Sequence, residues 1–209
     1  MKKNAFYLLL LCAAELSLML AGCKHELNEM DYTVTITLDN TLHHDSATLL
    51  VVEDDYNKLR LIESAAAKNG VFTFTGQTDK PKVAIVRWDN DSTKPFHFAL
   101  ESGVTNITVG AKSWSAKGSK LNSEYLHYVN QRNSIVDARV TTWQEYLKMA
   151  ADSSLKPADE RRMVQQDSLL NDSLQRITVE LINRGDVVGR IIKERYGQQL
   201  DQKHMRMLK

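Results

Sequence analysis

Few side chains in this sequence stand in patterns that do chemistry. His43-His44 is an adjacent histidine pair. Neighbouring residues on a strand point to opposite faces, so the two imidazoles do not share one ion, and the pair reads as a solvated loop. No His-x-x-x-His or His-Glu-x-x-His occurs anywhere in the chain. His97 alternates with Phe96 and Phe98 and is expected to face away from the core. Asp54-Asp55 and Asp89-Asn90-Asp91 bring carboxylates together, but neither offers the every-second-residue ligands, central glycine and late glutamate of a calcium loop; both read as turns. There is no glycine-rich phosphate loop and no Gly-x-Ser-x-Gly elbow. The residues therefore predict no catalytic set, no metal site and no cofactor. Tyr125, Tyr128, Trp143 and Tyr146 lie on one predicted helix. They read either as core or as an exposed aromatic interaction surface for a partner or glycan.

The cysteines argue in another direction. The N-terminus reads Lys2-Lys3, then an apolar run from Ala5 to Ala14, then Leu20-Ala21-Gly22-Cys23. A basic start, a short apolar core and small residues before a cut site describe an export signal. Leu-small-Gly-Cys resembles the bacterial lipobox, in which the cysteine is lipidated and becomes the first mature residue. Glu15 interrupts the apolar stretch and leaves it short of the roughly 20 apolar residues of a membrane-spanning helix. Bulky Leu11 before Cys12 makes that cysteine a poor lipid site. The expectation is cleavage before Cys23, lipidation of Cys23 and a lipid-anchored cell-envelope location, with the outer membrane favoured and its face left open.

Cleavage there removes Cys12, and a lipidated Cys23 leaves no free thiol. Disulfides, Cys-x-x-Cys redox chemistry and zinc–cysteine sites are then excluded. The whole chain carries a formal charge of +1; loss of Lys2, Lys3 and Glu15 leaves acids and bases equal. A balanced chain lacks the broad positive field of nucleic-acid binding. Near the end, Arg190, Lys193, Arg195, Lys203, Arg206 and Lys209 outnumber Glu194 and Asp201, which reads as a solvated face or as one that meets acidic head groups.

Two periodicities organise the remainder. From Tyr32 to about Trp114 the period is two, as in Tyr32, Val34, Ile36 and Leu38 between threonines. Short runs follow over 47–52, 58–63, 71–75, 83–88, 95–100 and 105–109, and Asn69-Gly70 is a hairpin signal. About seven short strands imply an antiparallel sandwich or barrel. From Ser119 the period is helical: Leu121, Tyr125, Tyr128, Arg132, Ile135 or Val136, Val140, Trp143, Leu147 and Ala150 form one stripe, interrupted only by Arg132. Ser153 to Pro157 is a break. A second stripe of Met163, Leu170, Leu174, Ile177 and Leu181 ends near Gly185, and a shorter helix spans Val187 to Tyr196. The two long helices should form an antiparallel hairpin. The fold class is α+β. The expected divisions are a signal over 1–22, a lipidated tether over 23–30, a sandwich over 31–117 and a helical segment over 118–209.

Three stretches carry a resemblance: Ile62-Glu63-Ser64-Ala65 with Gly70-Val71-Phe72-Thr73-Phe74-Thr75-Gly76, then Leu100-Glu101-Ser102-Gly103 with the following strand, then Gly118-Ser119-Lys120-Leu121-Asn122-Ser123-Glu124-Tyr125. Together, over roughly Tyr32 to Tyr196, they resemble an envelope domain of unknown function from Bacteroidota. That domain commonly precedes a lipid-anchored, thioredoxin-like disulfide reductase domain related to peroxiredoxins. Glu63 replaces the usual Asp and Ser102 the usual Pro. No thioredoxin domain with Cys-x-x-Cys follows, so the redox activity is not implied here. Asp45-Ser46-Ala47, Asp91-Ser92-Thr93, Asp167-Ser168-Leu169 and Asp172-Ser173-Leu174 also resemble the O-glycosylation acceptor pattern of exported proteins in that phylum. The functional expectation is a non-enzymatic interaction or dimerisation module with a protein partner or second copy. The alternative is a glycan- or peptide-binding lipoprotein.

Overall fold

The computed structural model describes residues 29–53, 58–89, 95–111 and 113–209; Cys23 and the export signal lie outside them. Alternation drives the first sheet. Tyr32, Val34, Ile36 and Leu38 are buried along β1 (Asp31–Leu38) while the threonines between them lie at the surface. β1 is central: it pairs antiparallel with β4 (Val71–Gln77) and parallel with β7 (Gly103–Val109), which pairs with β8 (Trp114–Lys117). The second sheet has the order β3 (Leu59–Ala66), β2 (Ser46–Val52), β5 (Lys82–Trp88), β6 (Phe96–Leu100). Phe72, Phe74, Leu49, Val86 and Phe98 fill the core between the sheets. The seven expected strands are present, and β8 is an addition. It alternates, with Trp114 and Ala116 turned inward, but at four residues it is too short to leave much signal.

Asn69 and Gly70 both take positive φ, 56° and 73°, and Lys68 and Val71 exchange backbone hydrogen bonds of 2.9 and 3.1 Å around them. This is the expected two-residue turn. Its strands then part, β3 to one sheet and β4 to the other, so the turn closes a corner of the sandwich. Glu63 spans the same side, its carboxylate accepting from the Thr75 N–H at 3.3 Å.

The second sheet is covered on both faces over β2, β5 and β6, while β3 stays largely exposed at its edge. Runs such as Leu49-Leu50-Val51-Val52 and Val83-Ala84-Ile85-Val86 are buried throughout, a pattern seen where helices pack over a sheet. The helices are α1 (Lys120–Ala151), α2 (Pro157–Asn183), α3 (Val187–Tyr196) and a final short α4 (Gln202–Met205). Leu50, Val52, Val83, Ile85 and Ala99 meet Tyr125, Tyr128, Val179, Val188, Ile191 and Ile192 in a second core.

One joint sets α1 on the sandwich. Gly118 has φ of 83°, and a Cβ there would lie 2.2 Å from the Val104 carbonyl oxygen, so only glycine passes. Ser119 caps α1, its Oγ accepting from the Asn122 N–H at 3.0 Å and donating to the Glu101 carboxylate. Asn122 is fully buried. Its Oδ1 accepts from the Ala99 N–H and its Nδ2 donates to the Ala99 carbonyl, both at 2.8 Å. The amide thus pairs with edge strand β6 as a ninth strand would.

Asn122→Ala strands two buried backbone groups, each costing about 1–3 kcal/mol when unpaired. The urea midpoint should fall accordingly at unchanged slope, and Asn122→Asp, which sets an acceptor against the Ala99 carbonyl, should be no better. A midpoint within error of the parent chain would show the joint to be dispensable.

Candidate functional site

Where α1 and α3 cross the end of the sandwich, they leave a cavity of about 530 Å³. Its walls come from distant parts of the chain: Trp88 at the end of β5, Phe96 at the start of β6, Trp114 at the start of β8, Tyr125 and Asn133 on α1, and Arg195 and Tyr196 on α3. The rings brace one another. Phe96 meets Trp114 edge-on at 4.7 Å, and Trp114 tilts against Tyr125 at 5.6 Å. Arg132, which interrupts the apolar stripe of α1 in sequence, lies over the Tyr196 ring at 4.5 Å and donates to Gln199 Oε1 at 2.8 Å.

The electrostatics follow from burial. Burial pushes the Tyr125 hydroxyl well above the usual phenol range. Burial, and next the nearby Arg195 charge, hold the His97 imidazole down to about 4. His97 does face away from the core between the sheets, as alternation predicts. It is half-buried, with Nδ1 enclosed and without a hydrogen-bond partner.

The expected aromatic surface divides in two. Tyr125 and Tyr128 are not surface residues: both are buried in the second core, and the Tyr128 hydroxyl pairs with Thr178 at 2.9 Å. The reason is the Asn122 joint, which lays the first turns of α1 directly on the sheet. Trp143 and Tyr146 lie about five turns further along and remain outside. Their rings meet edge-on at 5.3 Å, and Trp143 is 42% exposed. Beside Trp143, Val140 and Leu147 are 48% and 63% exposed. With Val136 and Arg139 they line a shallow groove of about 350 Å³. On α2, Val164 and Leu169 line another of about 530 Å³.

The solvated-loop expectation holds for His43 and fails for His44. The His44 ring is buried and stacked on Trp88 at 4.9 Å, with Nδ1 3.0 Å from Asp89 Oδ1. Asp89 also accepts from the Asp45 and Ser46 N–H groups, and these bonds hold it below the usual carboxylate range. Trp88 offers a flat apolar face, which loop composition alone does not reveal. Asp54-Asp55, Asn90, Asp91 and Ser92 lie outside the described residues. Among the described residues no cluster of three metal-ligating side chains occurs, and no helix is long and apolar enough to cross a membrane. Ser46, Ser168 and Ser173 of the acceptor tripeptides are exposed. The basic C-terminal residues do not form one face: Lys203 pairs with Asp172 at 2.6 Å, while Arg195 lines the cavity. Arg195, Trp114 and Phe96 were not legible as a group, because nothing in their spacing announces that they converge.

Residues 32–125 match a family described as a domain of unknown function, DUF4369. The DUF4369 region takes in the sandwich, the Asn122 joint and the first turns of α1, and it ends at Tyr125, well before the Tyr196 reached by the motif resemblance. No curated protein matches the chain. The DUF4369 region supplies most of the cavity wall. Asn133, Arg195 and Tyr196 come from beyond it.

The buried His97 gives a pH signature. Unfolded, it takes up a proton near pH 6.5; folded, it resists until about 4. The unfolded chain therefore binds more protons within that window. Its contribution to stability is complete above the window and declines as pH falls through it, by at most about 1.4 kcal/mol per pH unit. Thermal midpoints should drop between pH 7 and 5, and His97→Gln should flatten that slope. An equal slope in the variant would assign the effect elsewhere.

Proposed function

We propose that this chain is a non-enzymatic, lipid-anchored cell-envelope protein whose helical hairpin joins two copies. The observation that carries the reading is the inversion of polarity in the part of the hairpin beyond the sandwich. The seam between α1 and α2 there is largely polar around the buried Met163: Arg139 reaches Asp167 at 2.7 Å and Asn171 at 2.8 Å, Thr142 is buried, and Tyr146 lies 3.4 Å from Glu160. The large apolar residues Val140, Trp143, Leu147, Val164 and Leu169 face water. Two helices alone cannot enclose a core. Two such hairpins laid together make a four-helix bundle, in which stripes of this kind become the interior.

Size and charge support a second copy as the occupant. The free portions of α1 and α2 are each about 25 Å long and 8–10 Å apart. That offers several hundred Å² of helix surface, of the order of the ~800 Å² that each partner of a standard interface covers. Asp137, Glu145, Asp152 and Asp159 are interspersed with Arg139, Lys148, Lys156 and Arg161, so two copies meet without net repulsion. The lipid on Cys23 and the outer-membrane location rest on the lipobox-like Leu20-Ala21-Gly22-Cys23. The motif resemblance supports a separate thioredoxin-like oxidoreductase of the same envelope as the protein the dimer serves.

Light scattering of the eluting protein should give twice the chain mass, and Leu147→Glu with Trp143→Glu should halve it while the thermal midpoint of the sandwich stays in place. A single-chain mass at about 100 μM, where even weak specific pairs associate, would overturn the dimer. Labelling with a radioactive fatty acid in the producing cell should be lost in Cys23→Ser; retained label would overturn the anchor.

A further inference from the structure

We propose that the cavity between the sandwich end and helices α1 and α3 binds a small organic carboxylate carrying a flat apolar body. This goes beyond the dimerisation reading and does not rest on it: the cavity and the exposed hairpin stripe share no lining residue.

Four observations meet at one place. The volume, about 530 Å³, falls among ligand pockets, which run from ~300 to ~1,000 Å³. Trp88, Phe96, Trp114 and Tyr196 give it aromatic walls, suited to a planar apolar group. Among the described residues Arg195 is the one charged side chain in the wall, and no carboxylate of theirs stands within ion-pair distance of it. Finally, Tyr125 is fully buried, lines the cavity, and its hydroxyl makes no hydrogen bond. Arg195 and the Tyr196 hydroxyl stand beside it, near enough to act on it through charge and weak polar contact, but neither meets it in hydrogen-bond geometry.

A buried hydroxyl without a partner costs about 1–3 kcal/mol, and a gap left by poor packing would more simply be lined by apolar atoms alone. A cavity with one cation, one unused donor and the Asn133 amide near them has instead the polarity of an anion site. A carboxylate suits these groups. The guanidinium fork engages its two oxygens side by side, and Tyr125, kept protonated by burial, donates to one of them. A cationic ligand would meet Arg195 unfavourably. A sugar would find too few polar groups among the rings to replace its own hydration.

Intrinsic tryptophan fluorescence reads the site, since two of the three tryptophans, Trp88 and Trp114, line it. The full chain is titrated with N-acetyl-phenylalanine, with the corresponding amide, and with a tetraglycyl-phenylalanine peptide and its amide. The acid should bind saturably and at least about tenfold more tightly than its amide, the worth of one charge-assisted pair. Arg195→Gln should abolish that preference. Tyr125→Phe, which removes only the hydroxyl, should weaken the acid severalfold while leaving the thermal midpoint equal or higher. Tighter binding of the peptide acid would identify a chain terminus as the source of the carboxylate; tighter binding of the free acid would identify a small metabolite. Equal binding of acid and amide, a preference that survives in Arg195→Gln, or no saturation of any probe by about 10 mM would overturn the proposal.

Discussion

Everything on the helical side of this molecule depends on one side-chain amide. Asn122 offers the Ala99 N–H and carbonyl the two partners that a neighbouring strand would have offered. In doing so it ends the sheet at β6 and begins the helical layer. Beside that pairing the helices cover the outer face of β2, β5 and β6, with Leu50, Val52, Val83, Ile85 and Ala99. Strand edges left bare are also templates for pairing with other chains. A single buried asparagine therefore completes a sheet, blocks its edge and aims a helix of 32 residues. The cavity walls and the direction of the hairpin follow from that aim.

The same logic explains the residues of the motifs quoted from the sequence. Gly70 turns the corner with positive φ, Phe72 and Phe74 fill the core, and Gly76 lies beneath the Tyr32 ring, where a Cβ would come within 2.7 Å of its hydroxyl. Glu63 reaches from one sheet to the other. Gly103 carries the chain back between sheets at φ of 96°, and Gly118, Ser119 and Asn122 form the joint. These positions are explained by backbone geometry and packing. They make a scaffold, and Arg195, the cation among the described residues of the cavity wall, comes from a helix beyond the matched region.

How much of this was legible depended on distance along the chain. Local periodicity places β1 to β7, the Asn69-Gly70 turn, the break before Pro157 and all three longer helices, because each rests on neighbours a few residues away. It does not show that the corner turn splits two sheets. The unbroken apolar runs of β2 and β5 were a sign of burial on both faces, and so of helices packed over one sheet. The aromatic stripe of α1 reads as continuous, yet the sandwich covers only its first half, which separates Tyr125 and Tyr128 from Trp143. His44 was misplaced because Trp88, 44 residues away, supplies its stacking surface. The cavity was hidden for the same reason, since it is assembled from five segments with no shared motif.

The position of β1 has a mechanical consequence. The chain enters the fold at Asp31 and passes at once into the middle of a sheet, held antiparallel by β4 along one side and parallel by β7 along the other. Tension applied to the chain ahead of Asp31 runs along the strand axis. It cannot peel β1 away one rung at a time, as it could an edge strand. Both ladders must shear together, with their hydrogen bonds lying across the direction of pull. A domain threaded in this way resists force that enters through its first strand.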